Sequence, residues 1–177
     1  MTIVAISGTP GTGKTALSES LRNKGYSVLD INEHIRTHGI LGERDEERDT
    51  FEVDIDALNR SVSNIISADK VLFIDSHMSH CLDCDIVLVL RCSPCVLSER
   101  LRERGYSENK VRENIQAEIL DMILCEAVDS DVPVYEFDTS DIDVNSIVES
   151  VKYILAGNTD KYLPGDVDWT GEIEIWF

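Results

Sequence analysis

Eight consecutive residues, Gly8-Thr9-Pro10-Gly11-Thr12-Gly13-Lys14-Thr15, have the types and spacing needed to hold a string of phosphates. They satisfy G-x-x-x-x-G-K-[ST] at every fixed position. Glycines let the backbone turn so that successive N–H groups face one anion. A helix starting at the lysine would aim its positive end at the same anion. The Lys14 ammonium could follow a γ-phosphoryl group into a transition state, and the Thr15 hydroxyl could ligate Mg²⁺. The chemistry indicated is ATP–Mg²⁺ binding.

A second acid stands at Asp75, closing the apolar run Val71-Leu72-Phe73-Ile74. That is the position of a Walker-B carboxylate, which would reach the Mg²⁺ shell through water. His77 lies two residues on, so an extended chain would turn both side chains the same way. Its imidazole could then orient water or steer Asp75, or it could be a solvated loop histidine. His34, His38 and His80 read as surface residues. Arginines are the third ingredient, because the guanidinium fork matches phosphate oxygens. Arg91, Arg100, Arg102, Arg104 and Arg112 cluster along the chain. Arg100 and Arg104 share a helical face, and Arg104 precedes a Gly-Tyr break that could make it part of a lid. Arg102 and Arg112 are expected to pair with nearby glutamates instead. Arg36 lies where the phosphate of an acceptor would arrive.

The elements that must position these groups alternate. Apolar strands are expected over Thr2–Ser7, Ser27–Asp30, Lys70–Asp75, Ile86–Leu90 and Val134–Phe137. Between them, helical spacing runs through Leu17 and Leu21, and then through Ile55, Leu58, Val62, Ile65 and Ile66 after an Asp54 cap. Further helices are expected from Ser93-Pro94 to about Arg104, from Ser107 to about Ala127 as one long helix, and after Asp143. The stretch from Asn32 to Glu52 is polar and short of apolar periodicity. Strands apolar on both faces and alternating with helices imply an α/β fold with a parallel sheet covered on both sides.

Composition bounds the rest. The 177 residues suit one domain, and 34 acidic against 16 basic residues give a net charge of −18. Such a surface disfavours non-specific nucleic-acid binding and anionic membranes, and suits a basic protein partner. No run approaches the ~20 apolar residues of a membrane span, and the short apolar start lacks a basic leader, so a cytoplasmic location is expected. Five cysteines form two Cys-x-x-Cys pairs, Cys81/Cys84 and Cys92/Cys95, with Cys125 left over. The strand expected between the pairs would hold them roughly 25 Å apart at ~3.3 Å per residue. One tetrahedral zinc cannot span that distance.

Several segments together resemble a known family. These are the phosphate loop with proline third, Asp45-Glu46-Glu47-Arg48-Asp49, Ile74-Asp75-Ser76-His77, Val89-Leu90-Arg91-Cys92, and Glu99-Arg100-Leu101 continuing through Arg104-Gly105-Tyr106-Ser107-Glu108 to Glu113-Asn114-Ile115. The chain is similar to the atypical adenylate kinases of archaea and eukaryotes, whose eukaryotic members are ATPases of small ribosomal subunit maturation. The resemblance runs from about Ile3 to Ala156. It implies a P-loop NTPase fold of the nucleoside-monophosphate-kinase type, a five-stranded parallel sheet in the order 2-3-1-4-5 within one domain over 1–157. The acidic, aromatic tail at 158–177 lies outside it. It implies ATP contacts from Gly8, Gly11, Thr12, Gly13, Lys14, Thr15 and Ala16, with Arg104 reaching over from a short lid at about 103–113. A segment at about 30–53 would bind the monophosphate, with Asp30 and Arg36 as candidates. Lys14, Asp75, His77 and Arg104 would be catalytic, with Mg²⁺ held by Thr15 and Asp75. The activity implied is phosphoryl transfer from ATP to AMP or a related monophosphate, with some ATP hydrolysis because the lid is short. A basic small-subunit ribosomal protein is the implied partner. An ATPase acting mainly in ribosome assembly, or a kinase of another small metabolite, remains open at this level.

Overall fold

The computed structural model describes residues 2–40, 44–45, 50–51, 53–65, 70–141 and 143–177. Five strands, β1 (Thr2–Ser7), β2 (Ser27–Asp30), β3 (Val71–Asp75), β4 (Ile86–Arg91) and β5 (Val134–Asp138), make one sheet in the order β2-β3-β1-β4-β5. Every pairing in it is parallel. Residues 44–45 and 50–51 form a small separate antiparallel ribbon. The fold expected from the sequence is the fold observed.

Period-two alternation sends side chains to opposite faces of the sheet. Val4, Ile6, Phe73, Leu88, Leu90, Tyr135 and Phe137 go to one face, where α1 (Lys14–Asn23) and α7 (Val144–Leu155) cover them. Ala5, Ile74, Val87, Val89 and Val134 go to the other, under α2 (Ile31–His38), α3 (Ile55–Ile65) and α6 (Met122–Val128). Each wholly buried Leu or Ile contributes about 1.5–3 kcal/mol relative to exposure, so both faces reward the same register. A third cluster joins α4 (Pro94–Glu103) to α5 (Glu108–Ile119): Leu97, Leu101, Val111, Ile115 and Ile119 meet around Cys92.

The tail closes this third cluster. Trp169 and Trp176, the latter in the short α8 (Ile173–Trp176), pack against it. Arg112 Nε and Nη2 donate to the carbonyls of Trp176 and Phe177 at 3.0 and 2.9 Å, and Gln116 Nε2 donates to Trp176 O at 2.8 Å. Farther back, Gly165 N donates to Glu136 Oε2 at 2.9 Å.

Three local expectations differ from the structure. The polar stretch after β2 contains a helix, α2, capped by Asp30, whose Oδ1 accepts from Glu33 N at 2.9 Å. It buries Ile31, Ile35 and, unexpectedly, His34, whose Nε2 lies 2.8 Å from Ser61 Oγ. The long helix from Ser107 breaks at Asp121, which has φ +53°, the left-handed region rarely used by residues with a Cβ. Arg91 sits at the break, where its Nη2 bonds both Glu118 O and the Asp121 carboxylate. Ser93 precedes α4 without a side-chain cap, and its N–H donates instead to Ser140 Oγ at 2.7 Å. The Asp54 cap forms, with Ala57 N donating to its Oδ1 at 2.9 Å. Ile66 and positions 41–43, 46–49 and 52 of the expected monophosphate segment lie outside the described residues.

No helix among the described residues is long and apolar enough to cross a membrane.

Candidate active site

The loop between β1 and α1 lies at the carboxyl edge of the sheet, where open α/β sheets bind ligands. Its glycines are dictated by the backbone. Gly8 has φ +143°, and a Cβ there would stand 2.4 Å from Leu90 O. Gly13, at φ +99°, leads into α1 with no side-chain cap, so the first N–H groups of the helix lack an intrahelical partner and face the loop's hollow. Lys14 folds over the loop, its Nζ 2.6 Å from Gly8 O and 3.0 Å from Thr9 O. Burial lowers its pKa to about 8, against the pull of the Asp75 and Glu118 carboxylates and with a push from Arg104.

Thr12 shapes the loop from within: its N–H and its hydroxyl both donate to Thr9 O, at 3.2 and 2.9 Å. The loop is also tied from outside. Thr9 Oγ1 donates to Glu118 Oε2 at 2.5 Å, and Thr139 Oγ1 donates to Thr12 O at 2.7 Å. Ser7, just before the loop, lies 3.2 Å from His80 Nδ1, and His80 Nε2 lies 3.0 Å from Glu126. His80 is therefore a buried support, contrary to its surface reading.

Two hollows open on either side of this loop. The first, of about 200 Å³, is lined by Pro10, Gly11, Gly13, Lys14, Thr15, Asp30, Asn32, Asp75, His77, Arg104 and Tyr106. The second, of about 250 Å³, is lined by Gly11, Gly13, Ala16, Arg100, Arg104, Thr139, Val144 and Ile147. Arg104 closes both. It ends α4 and begins the short turn to α5.

Asp75 ends β3 beside Asp30 of β2 in register. Burial raises its pKa, the Ser18 hydroxyl at 2.6 Å and Lys14 oppose that rise, and the Asp30 charge adds to it. His77 stands at the open mouth of the first hollow, its pKa lowered by the protein crowding the ring and by the charge of Lys14. Thr15 and Asp75 thus present a hydroxyl and a carboxylate to one hollow. Among the described residues no group of three or more His, Cys, Asp or Glu forms a cage for a metal. This sparse oxygen set fits Mg²⁺, which keeps several waters and is held by one or two protein oxygens together with phosphates.

Of the other expected residues, Arg36 lies on the exposed side of α2, one turn beyond Asn32 and outside both linings. Arg91 is not a phosphate ligand. It is 1% exposed and bonds Glu118 Oε1 at 2.8 Å and Glu136 Oε1 at 2.6 Å, besides Asp121. Arg102 pairs with Glu108 at 2.9 Å, whereas Arg112 holds the tail. Asn32, Tyr106, Thr139 and Glu118 were missed. Tyr106 adjoins the lid arginine and Thr139 follows β5 at the sheet's carboxyl edge, which are sequence-level signals. For Asn32 and Glu118 there is none.

A protein-family model described as "AAA domain" matches residues 4–121. A protein of Methanocaldococcus jannaschii named "Putative adenylate kinase" is 44% identical over 168 residues, covering 94% of this chain and 92% of that one. One of Archaeoglobus fulgidus with the same name is 39% identical, covering 97% and 94%. The chain belongs to this adenylate-kinase-like family. Solved structures agree on the fold. Shikimate kinase from Bacteroides thetaiotaomicron aligns with TM-score 0.58 at 17% identity, covering 88% of this chain and 98% of its own. A deoxyadenosine kinase from M. mycoides aligns with TM-score 0.52 at 17% identity, covering 88% and 99%. The family supports nucleotide phosphotransfer as the chemistry.

Proposed function

We propose that this chain transfers the γ-phosphoryl group of ATP to AMP or a related nucleoside monophosphate. The observation that carries the reading is the meeting of the two hollows at Gly11, Gly13 and Arg104. The hollow over Ala16 and Thr139 would take the adenosine end of ATP. The β- and γ-phosphates would cross the loop toward Lys14, and the acceptor would enter from Asp30 and Asn32. Its phosphate would meet Arg36 on the outer part of α2, since residues four apart share a helix face.

In that arrangement Lys14 exchanges its two carbonyl partners for phosphate oxygens. Arg104 presents a planar fork to charge spreading over the migrating group. Bound through Thr15 and Asp75, Mg²⁺ would neutralise charge on the β- and γ-phosphates. A monophosphate oxygen is already nucleophilic at neutral pH, so the transfer needs no strong general base. Asp75, which holds the Ser18 hydroxyl, is free to serve the ion. His77 orients water or Asp75 at the mouth.

A second reading is supported by the lid turn, which spans only 104–107 between α4 and α5. So short a cover excludes water poorly, and hydrolysis would compete with transfer. With the net charge of −18, it supports an ATPase that works with a basic partner such as a small-subunit ribosomal protein. ADP formation by the pure protein, with and without AMP, separates the two. The kinase reading expects turnover to depend strongly on AMP. Equal turnover without it would sink that reading in favour of hydrolysis.

A further inference from the structure

We propose that Glu118, on α5, is a positioning residue for ATP: its carboxylate grips the Thr9 hydroxyl and holds the loop in its nucleotide-accepting shape. The inference rests on the reading that this loop binds ATP and adds a residue that its sequence motif does not contain.

Thr9 is the hub of the loop. Its carbonyl accepts from the Thr12 N–H and hydroxyl and from Lys14 Nζ, so any shift of Thr9 moves all three groups. Those bonds hold the carbonyl; the hydroxyl is held from outside the loop, donating to Glu118 Oε2 at 2.5 Å. Glu118 is 3% exposed and is held in turn, its Oε1 accepting from Arg91 Nε at 2.8 Å and from Cys92 N at 3.1 Å. A buried carboxylate is costly unless paired, and Arg91 supplies the pair. The converse does not hold, because Arg91 also has Glu136 and Asp121. Neutralising the arginine therefore leaves the Oε2–Thr9 bond unexplained. That bond makes one stiff piece of the loop, the end of β4, and the helix that follows the lid turn.

The lever is Thr9, because valine keeps its shape and loses its donor, whereas serine keeps the donor. Calorimetry with magnesium and the β,γ-imido analogue of ATP reads binding without turnover. Thr9→Val should weaken binding about tenfold, the loss of one hydrogen bond to a charged group. Thr9→Ser should stay within about twofold of the parent, since the donor is retained. In steady state the same loss should fall on KM for ATP, with KM for AMP unmoved. Combining Thr9→Val with Glu118→Gln should cost no more than the worse single change, because valine has already removed the charge-assisted link that glutamine weakens. If Glu118→Gln fails to fold by circular dichroism, the valine–serine pair decides alone. Equal affinity in the valine and serine variants, or additive losses in the double variant, would overturn the inference. A parent protein that took up no analogue would overturn it together with the ATP reading. Normal uptake by parent and Thr9→Val alike would overturn the inference and leave the ATP reading standing.

Discussion

The two sides of the site are built differently. On the donor side, the phosphate loop is tied by Thr9 to Glu118, by Thr12 to Thr139 and, through Ser7, to His80 and Glu126. Its glycines allow no other side chain without a clash or a strained φ. On the proposed acceptor side, the wall is one eight-residue helix, α2, capped by Asp30 and rooted by Ile31, His34 and Ile35, with Asn32 and Arg36 on its exposed side. A loop shaped in advance limits the rearrangement needed when charge develops, which would suit the triphosphate in the proposed reaction. A helix with fewer ties to the rest of the site would suit the proposed acceptor side, where a monophosphate would enter and leave.

Perturbing each side should therefore give different signatures. The largest loss is expected from Lys14→Ala, about a thousandfold in phosphoryl transfer, read as ADP formed with AMP present. Retention of activity would remove the donor side from the account. Arg104→Ala should cost about a hundredfold, with Arg104→Lys recovering only part because the ammonium lacks the fork. As Arg104 borders both hollows, KM for both nucleotides should rise. Arg36→Ala should raise KM for AMP about tenfold and leave KM for ATP alone, as expected for one charged hydrogen bond on the acceptor side only. An equal effect on both substrates would erase the contrast. The mildest effect is on pH. Lys14 must be charged to hold phosphates and has a pKa of about 8, so kcat/KM for ATP should decline as pH rises through 8. A profile flat to pH 10 would mean that its ammonium is not needed.

The donor side was legible because backbone chemistry dictates its residue types. A loop that must turn three times toward one anion needs glycine, and a strand buried on both faces must be continuously apolar. The acceptor side was not. α2 shows only Ile31 and Ile35 as apolar anchors, and its third buried residue is a histidine made acceptable by Ser61, a contact no periodicity reveals. Arg91 misled in the opposite direction. An arginine at a strand end near a phosphate loop has the right chemistry for phosphate, and only the fold brings Glu118, Asp121 and Glu136 around it. That same cluster meets the helix break at Asp121, where a helical pattern continued.

Both tryptophans of the chain lie in the tail and press on the cluster shared by α4 and α5, the helices that flank the lid turn. Intrinsic emission on excitation near the red edge of protein absorbance therefore comes from one small patch behind Arg104. The molecule thus carries its own optical gauge of how the α4–α5 cluster is packed, with no dye attached.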